Sequence, residues 1–150
     1  MLKEEQYVFR TVIGDKSFSS GLHYWEVIAD ARTENELKVG VCKSREFDLK
    51  TAFSDYTYGW AYYAVGQLRH CDGANGISFG GKSMKKEGVL GVLLDMNKGT
   101  LSFSLNNSLL GVAFEDEELK SGPIWPAVAM LHQAGCTLVT GRAAPSIFFC

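Results

Sequence analysis

Cys42, Cys71, Cys136 and Cys150, with His23, His70 and His132, are the residues of this chain best suited to metal ligation or nucleophilic chemistry. Zinc sites take such side chains in sets of four, usually at short paired spacings. No two of these cysteines form a Cys-x-x-Cys pair, and their wide separations fit neither a zinc site nor a dithiol redox centre. His132 and Cys136 stand four apart at a loop-to-strand turn, without the remaining ligands that zinc requires. His70 and Cys71 are adjacent, so on a strand they point to opposite faces. Asp95 precedes Met-Asn-Lys-Gly99 and reads as a turn-former rather than a catalytic carboxylate. No nucleophile elbow, P-loop or Ser/His/Asp arrangement stands in recognisable context. These residues predict no enzyme, no metal and no cofactor. Cys42 and Cys136, in apolar strand contexts, read as small buried hydrophobes, and Cys150 as an exposed terminal thiol open to oxidation.

The elements that would hold these residues are strands. Val89, Leu90, Val92, Leu93 and Leu94 make a short apolar run, as expected of a strand buried on both faces. Asp95 to Gly99 supplies a turn, and Leu101, Phe103 and Leu105 then alternate with Thr100, Ser102 and Ser104. Asn106-Asn-Ser108 turns again into Leu109–Phe114. Further strands are predicted over His23–Ala29, Leu37–Cys42, Gly59–Val65, Ile124–Leu131 and Gly135–Val139. Gly66–His70 pairs with the Gly59 strand as a hairpin, and Ile77–Phe79 is a brief strand. Glu115–Lys120 makes one helical turn at most. Short strands at this spacing predict an all-β fold, a bent antiparallel sandwich of jelly-roll-like type with little or no helix.

The totals agree with one domain over 1–150, since 150 residues suffice for a core without disulfide or metal staples. The 46% apolar and 21% charged fractions are those of an ordinary globular chain. A net charge of −2 lacks the basic footprint of a nucleic-acid binder. No run approaches the roughly 20 apolar residues of a membrane span, and MLKEEQYVFR has no signal-peptide core. The expectation is a cytoplasmic, monomeric protein or a domain cut from one.

Several segments together carry a family resemblance. They are Ser20-Gly-Leu-His-Tyr-Trp-Glu-Val27, Lys38-Val-Gly-Val41, Gly59-Trp60, Gly91-Val-Leu-Leu-Asp-Met-Asn97 with Gly99-Thr-Leu-Ser-Phe103, Leu110-Gly-Val-Ala-Phe114 and Trp125-Pro126-Ala-Val128. In this order and spacing, from about Tyr7 to Thr140, the chain resembles the SPRY domain, the core of the PRY-SPRY module. The N-terminal PRY-like extension is largely absent. The resemblance implies a sandwich of two antiparallel sheets that binds protein or peptide partners through loops at one end. It also implies a substrate-recognition or adaptor role, often within a ubiquitin ligase.

The loops are where such binding would lie. Lys43–Tyr58 is too long for a hairpin and carries Phe47, Phe53, Tyr56 and Tyr58. Phe47 and Phe53 are expected to staple it to the core. Arg45, Tyr56 and Tyr58 are candidate anchors, because Arg and Tyr are enriched among interface hot spots, and Asp48 is a candidate rim charge. The resemblance adds a second loop, Leu131-His132-Gln133-Ala134. The tryptophan of the family's peptide pocket is replaced there by Leu131 or His132, so that pocket's acidic-Asn preference does not carry over. An alternative reading is carbohydrate or small-ligand binding, with Trp60, Tyr62 and Tyr63 as a stacking platform, although alternation sets Trp60 and Tyr62 on one face and Tyr63 on the other and favours a core role for one pair. Another is a structural role within a parent chain, with an apolar flank left uncovered.

Overall fold

The computed structural model describes residues 10–30, 37–70, 77–78, 88–130 and 135–149. Eleven strands run through them: β1 (Arg10–Ile13), β2 (Leu22–Ala29), β3 (Leu37–Cys42), β4 (Gly59–Tyr63), β5 (Gln67–Arg69), β6 (Ile77–Ser78), β7 (Val89–Asp95), β8 (Thr100–Leu105), β9 (Ser108–Glu115), β10 (Trp125–Met130) and β11 (Cys136–Val139). They form two antiparallel sheets, ordered β1-β10-β3-β4-β5-β6 and β11-β2-β7-β8-β9. Helix among the described residues is confined to three short 3₁₀ turns. The antiparallel β-sandwich is the architecture that the strand spacing predicts.

Alternation decides what enters the core. On β2, Trp25, Val27 and Ala29 are buried, while Tyr24, Glu26 and Ile28 between them face outward. Trp25 pairs with Val92 of β7, which pairs with Phe103 of β8, so the five-stranded sheet offers one continuous apolar face. The facing sheet contributes Val39 and Val41 of β3 and Trp60 and Tyr62 of β4. Tyr62 meets Phe103 across the interface with ring centroids 5.7 Å apart. Aromatic rings of this size bury roughly 150–250 Å² each and dominate core energetics. β3 and β4 approach so closely that a Cβ on Gly40 would clash with the Trp60 carbonyl oxygen.

Trp60 and Tyr62 are 1% and 0% exposed, the core role that alternation favours for one pair, and no sugar reaches a ring so placed. Asp95 is the turn-former expected: its Oδ1 accepts from the backbone N–H of Asn97 and Lys98 at 3.0 and 3.1 Å. Gly99 closes this turn at φ +71°, a conformation that side-chain-bearing residues rarely take. The segment Glu117–Lys120 is the single helical turn predicted, with Asp116 Oδ1 accepting from Glu118 N–H as its cap.

One feature lies beyond the strand pattern read from sequence, and another, the return of the apolar C-terminal segment, is as the sequence suggests. β1 was not anticipated; its RTVI sequence is held by pairing with β10, Thr11 opposite Ala129. The chain's end also returns to the sandwich. Arg142 Nη1 donates to Glu26 Oε1 at 3.0 Å, and the Phe148 ring meets Tyr24 edge-on at 5.7 Å. Tyr24 in turn donates its hydroxyl to Glu26 Oε2 at 2.7 Å. The 3₁₀ turn Ser146–Phe149 packs on β9, as the apolar Ile147-Phe-Phe sequence suggests.

Candidate functional site

The connection from β3 to β4, Lys43–Tyr58, folds back along the outer face of the six-stranded sheet. That face is built of small residues (Cys42, Ala61, Ala127, Ala129), which leave room for a covering segment. Phe53 fills it and is fully buried, with Ala52 beside it and Phe47 and Ile13 packed at the margin. The Thr11 N–H donates to Leu49 O at 2.8 Å, its hydroxyl donates to Thr51 O at 2.6 Å, and Phe53 N–H donates to that hydroxyl at 3.0 Å. The unanticipated β1 is therefore the anchor of the loop. At the loop's base, Lys43 N–H donates to Tyr58 O at 2.8 Å, and Lys43 Nζ donates to Glu118 O at 2.6 Å. Both aromatic staples expected from the sequence are in place.

Held at both ends, the loop presents a half-buried aromatic cluster. Tyr56 and Tyr58 stack nearly parallel, centroids 5.1 Å apart and planes 4° off. Phe47 leans on both, at 5.2 and 5.7 Å. The hydroxyls of Tyr56 and Thr51 lie 2.9 Å apart, fixing the Tyr56 ring. Arg45, exposed, sets its guanidinium carbon 5.9 Å from the centre of the Trp125 ring, a cation–π approach. Burial pushes the Tyr58 phenol above its usual range, with Tyr56 and Cys42 adding to the effect. Burial also drives the Cys42 thiol up to about 11. A thiol so placed is protonated near neutral pH and is no nucleophile.

Of the sequence-predicted residues, Arg45, Asp48, Tyr56 and Tyr58 all stand on this loop, and the structure brings Tyr56 and Tyr58 into contact. Asp48 is exposed but shapes the loop: its Oδ1 accepts from Lys50 N–H at 2.9 Å and its carbonyl from Thr51 N–H at 3.0 Å. Leu131, His132, Gln133 and Ala134 fall outside the described residues, as do Cys71 and Cys150. Sequence reasoning did not place Trp125 in the site; its position beside Arg45 follows from the pairing of Trp125 with Cys42 across β10 and β3. Lys43, Arg45 and Lys50 balance Glu46, Asp48 and Asp55 in this loop, so its formal charge is zero. Contact chemistry, rather than long-range steering, is what the loop offers. Among the described residues no three His, Cys, Asp or Glu side chains converge on a metal position.

A second concavity, of about 880 Å³, opens at the edge where β11 and β2 face the segment after β1, lined by Phe18, Leu22, Trp25, Pro126, Leu138 and Arg142 among others. An apolar cavity of about 190 Å³ adjoins it between β1/β10 and β11, with Val12 54% and Leu138 45% exposed. The smaller cavity is lined by apolar side chains and Gly14, whereas the larger one also takes in Asp15, Lys16, His23, Thr140 and Arg142.

A SPRY domain profile matches residues 22–143. Among curated proteins, the E3 ubiquitin-protein ligase TRIM9 of Drosophila melanogaster is 29% identical over 154 residues, covering 95% of this chain and 19% of its own length. Butyrophilin subfamily 1 member A1 of Mus musculus is 32% identical over 126 residues, covering 77% of this chain and 21% of its own length. The chain thus spans about a fifth of each of these relatives. The crystal structure of the SPRY domain of human HERC1 matches with a TM-score of 0.71 over 96% of this chain and 94% of that one. Its sequence is 20% identical, so that likeness is one of fold. With the profile taking in most of the described strands, the sandwich and its motifs have one source: the chain belongs to the SPRY domain family.

Proposed function

We propose that this domain binds a protein or peptide partner through the Lys43–Tyr58 loop, as the substrate-recognition or adaptor part of a larger protein such as a ubiquitin ligase. SPRY domains are interaction modules without a reaction of their own. The observation that carries the reading is the Phe47–Tyr56–Tyr58 cluster: three rings held half-exposed by a loop whose own anchor, Phe53, is spent on the core. Rigid aromatic surface of this kind loses little entropy on binding. Arg45 over Trp125 adds a cationic, planar contact at its margin. The similarity to a ubiquitin ligase over nearly the whole chain supports the setting.

The test pairs partner capture by the wild-type domain with the variants Tyr58→Ala and Arg45→Ala, followed by titration of each captured partner. A hot-spot residue costs about 2 kcal/mol or more on truncation, roughly thirtyfold in affinity. Loss of that size by variants that melt close to wild type supports the loop as the site. Unchanged affinity in both variants places binding elsewhere on the sandwich.

A further inference from the structure

We propose that Arg69 receives a carboxylate from the protein partner, on the same sheet face that carries the Lys43–Tyr58 loop; the inference rests on the interaction role proposed above. Arg69 stands on β5 opposite Ala61, whose other neighbours on that face include Phe53, the loop's anchor. The residue is only 8% exposed. Its Nη2 donates to Gln67 Oε1 at 2.9 Å, but among the described residues Nε and Nη1 are fully buried without a hydrogen-bond partner. The guanidinium carbon lies 5.1 Å from the centre of the Tyr63 ring, and Lys38 Nζ lies 5.1 Å from the same ring centre. Two cations therefore bracket one aromatic face.

A guanidinium cannot shed its charge as a buried lysine can. The Tyr63 ring compensates part of that charge, and Gln67 part of the hydrogen bonding. Among the described residues nothing accepts from Nε or Nη1, which an anion would do through charge-assisted hydrogen bonds. An apolar side chain would fill the same volume without the desolvation penalty. The Arg69 stem has several rotatable bonds and Gln67 is half-buried, so a partner carboxylate that displaces the Gln67 contact can draw the head outward. An acidic side chain of a partner seated on the aromatic cluster then meets the one cation on this face whose buried hydrogen-bonding capacity is unspent among the described residues.

The probes are two capped tripeptides, acetyl-Gly-Glu-Gly-amide and its Gln counterpart, titrated at constant ionic strength into the wild-type domain. The Arg69 Nε–H resonance and the Tyr63 ring signals are followed by NMR. The Glu peptide is expected to give a saturable shift at both, at least fivefold larger than the Gln peptide gives. In Arg69→Met the Tyr63 shift disappears while the melting temperature stays at or above that of wild type. No Nε–H shift with the Glu peptide overturns the proposal. So does a fall of roughly 10 °C on Arg69→Met, since it means the charge is already paired within the domain. Because these probes do not depend on the natural partner, failure here leaves the Tyr58→Ala and Arg45→Ala comparison intact as a separate test of the loop.

Discussion

Phe53→Ala is the substitution that most directly separates the loop from the sheet beneath it. The ring is fully buried against Cys42, Ala52, Ala61, Ala127 and Ala129. Four of those five are alanines, which have no rotamer with which to fill a vacated space. Truncating a buried Phe costs about 3–5 kcal/mol, the larger values where the site cannot collapse. In a chain of this length each kcal/mol lowers the melting temperature by roughly 2–4 °C, so a fall of roughly 6–20 °C is expected. The loss is also local. Without the ring, the Phe53 N–H bond to Thr11 Oγ1 and the Thr11 N–H bond to Leu49 O lose the packing that shields them. Arg45 and Lys50, both exposed, then become trypsin sites on a released segment. The assay is thermal unfolding by circular dichroism, with mass-spectrometric mapping of brief trypsin digests. Phe53→Leu, which keeps most of the volume, is expected to lose less than half as much. A Phe53→Ala melting temperature within about 3 °C of wild type, with no new cleavage between 43 and 58, refutes the anchoring argument.

Gly40→Ala forces a methyl against the Trp60 carbonyl, a backbone atom that cannot swing away, so its cost reaches or exceeds the usual overpacking range of about 1–3 kcal/mol; a urea midpoint equal to wild type counts against the β3–β4 geometry. Burial raises Cys42 from 9.0 to about 11 and Tyr62 from 10.0 to about 12. Both groups ionise first in the unfolded chain, so the stability they contribute is whole below pH 9 and declines as pH rises through 9–12; a stability profile flat across that window contradicts the burial of both groups. At the returning tail, Arg142→Ala costs about 0–1 kcal/mol, because the Arg142 side chain is 63% exposed, whereas Phe148→Ala removes apolar packing on Tyr24 and costs more; urea midpoints in the reverse order count against the packing of the tail.

What could be read from the sequence was what neighbouring residues settle among themselves. The Leu101, Phe103, Leu105 alternation and the Asp95–Gly99 turn are local, and both stand as expected. β1 was illegible because Arg10–Ile13 carries no period of its own and becomes a strand only against β10, more than a hundred residues away. The site shows the same division. Tyr56 and Tyr58 announce themselves by type and spacing in a loop too long for a hairpin, but Trp125 comes beside Arg45 only through the register of β10 on β3. Asp48 is exposed, as a rim charge would be, and its turn-shaping hydrogen bonds also fit its residue type. Burial of Arg69 had no sequence signal at all, since a charged residue on a three-residue strand normally faces water.

The strand order has a consequence for how the polypeptide reaches this state during synthesis. β10 lies between β1 and β3, and β11 flanks β2, so each sheet takes in a strand from the last 26 residues of the chain. A nascent chain that has emerged through residue 120 holds β7, β8 and β9 in a meander, yet β1 has no neighbour and β3 exposes one edge. Loop-closure entropy must be met before such distant pairings return anything, which slows folding of β-rich topologies. The domain is therefore expected to close as a unit only after β10 has left the ribosome, and a stop at or before residue 124 yields an open-edged intermediate suited to chaperone capture and degradation rather than a smaller version of the same module.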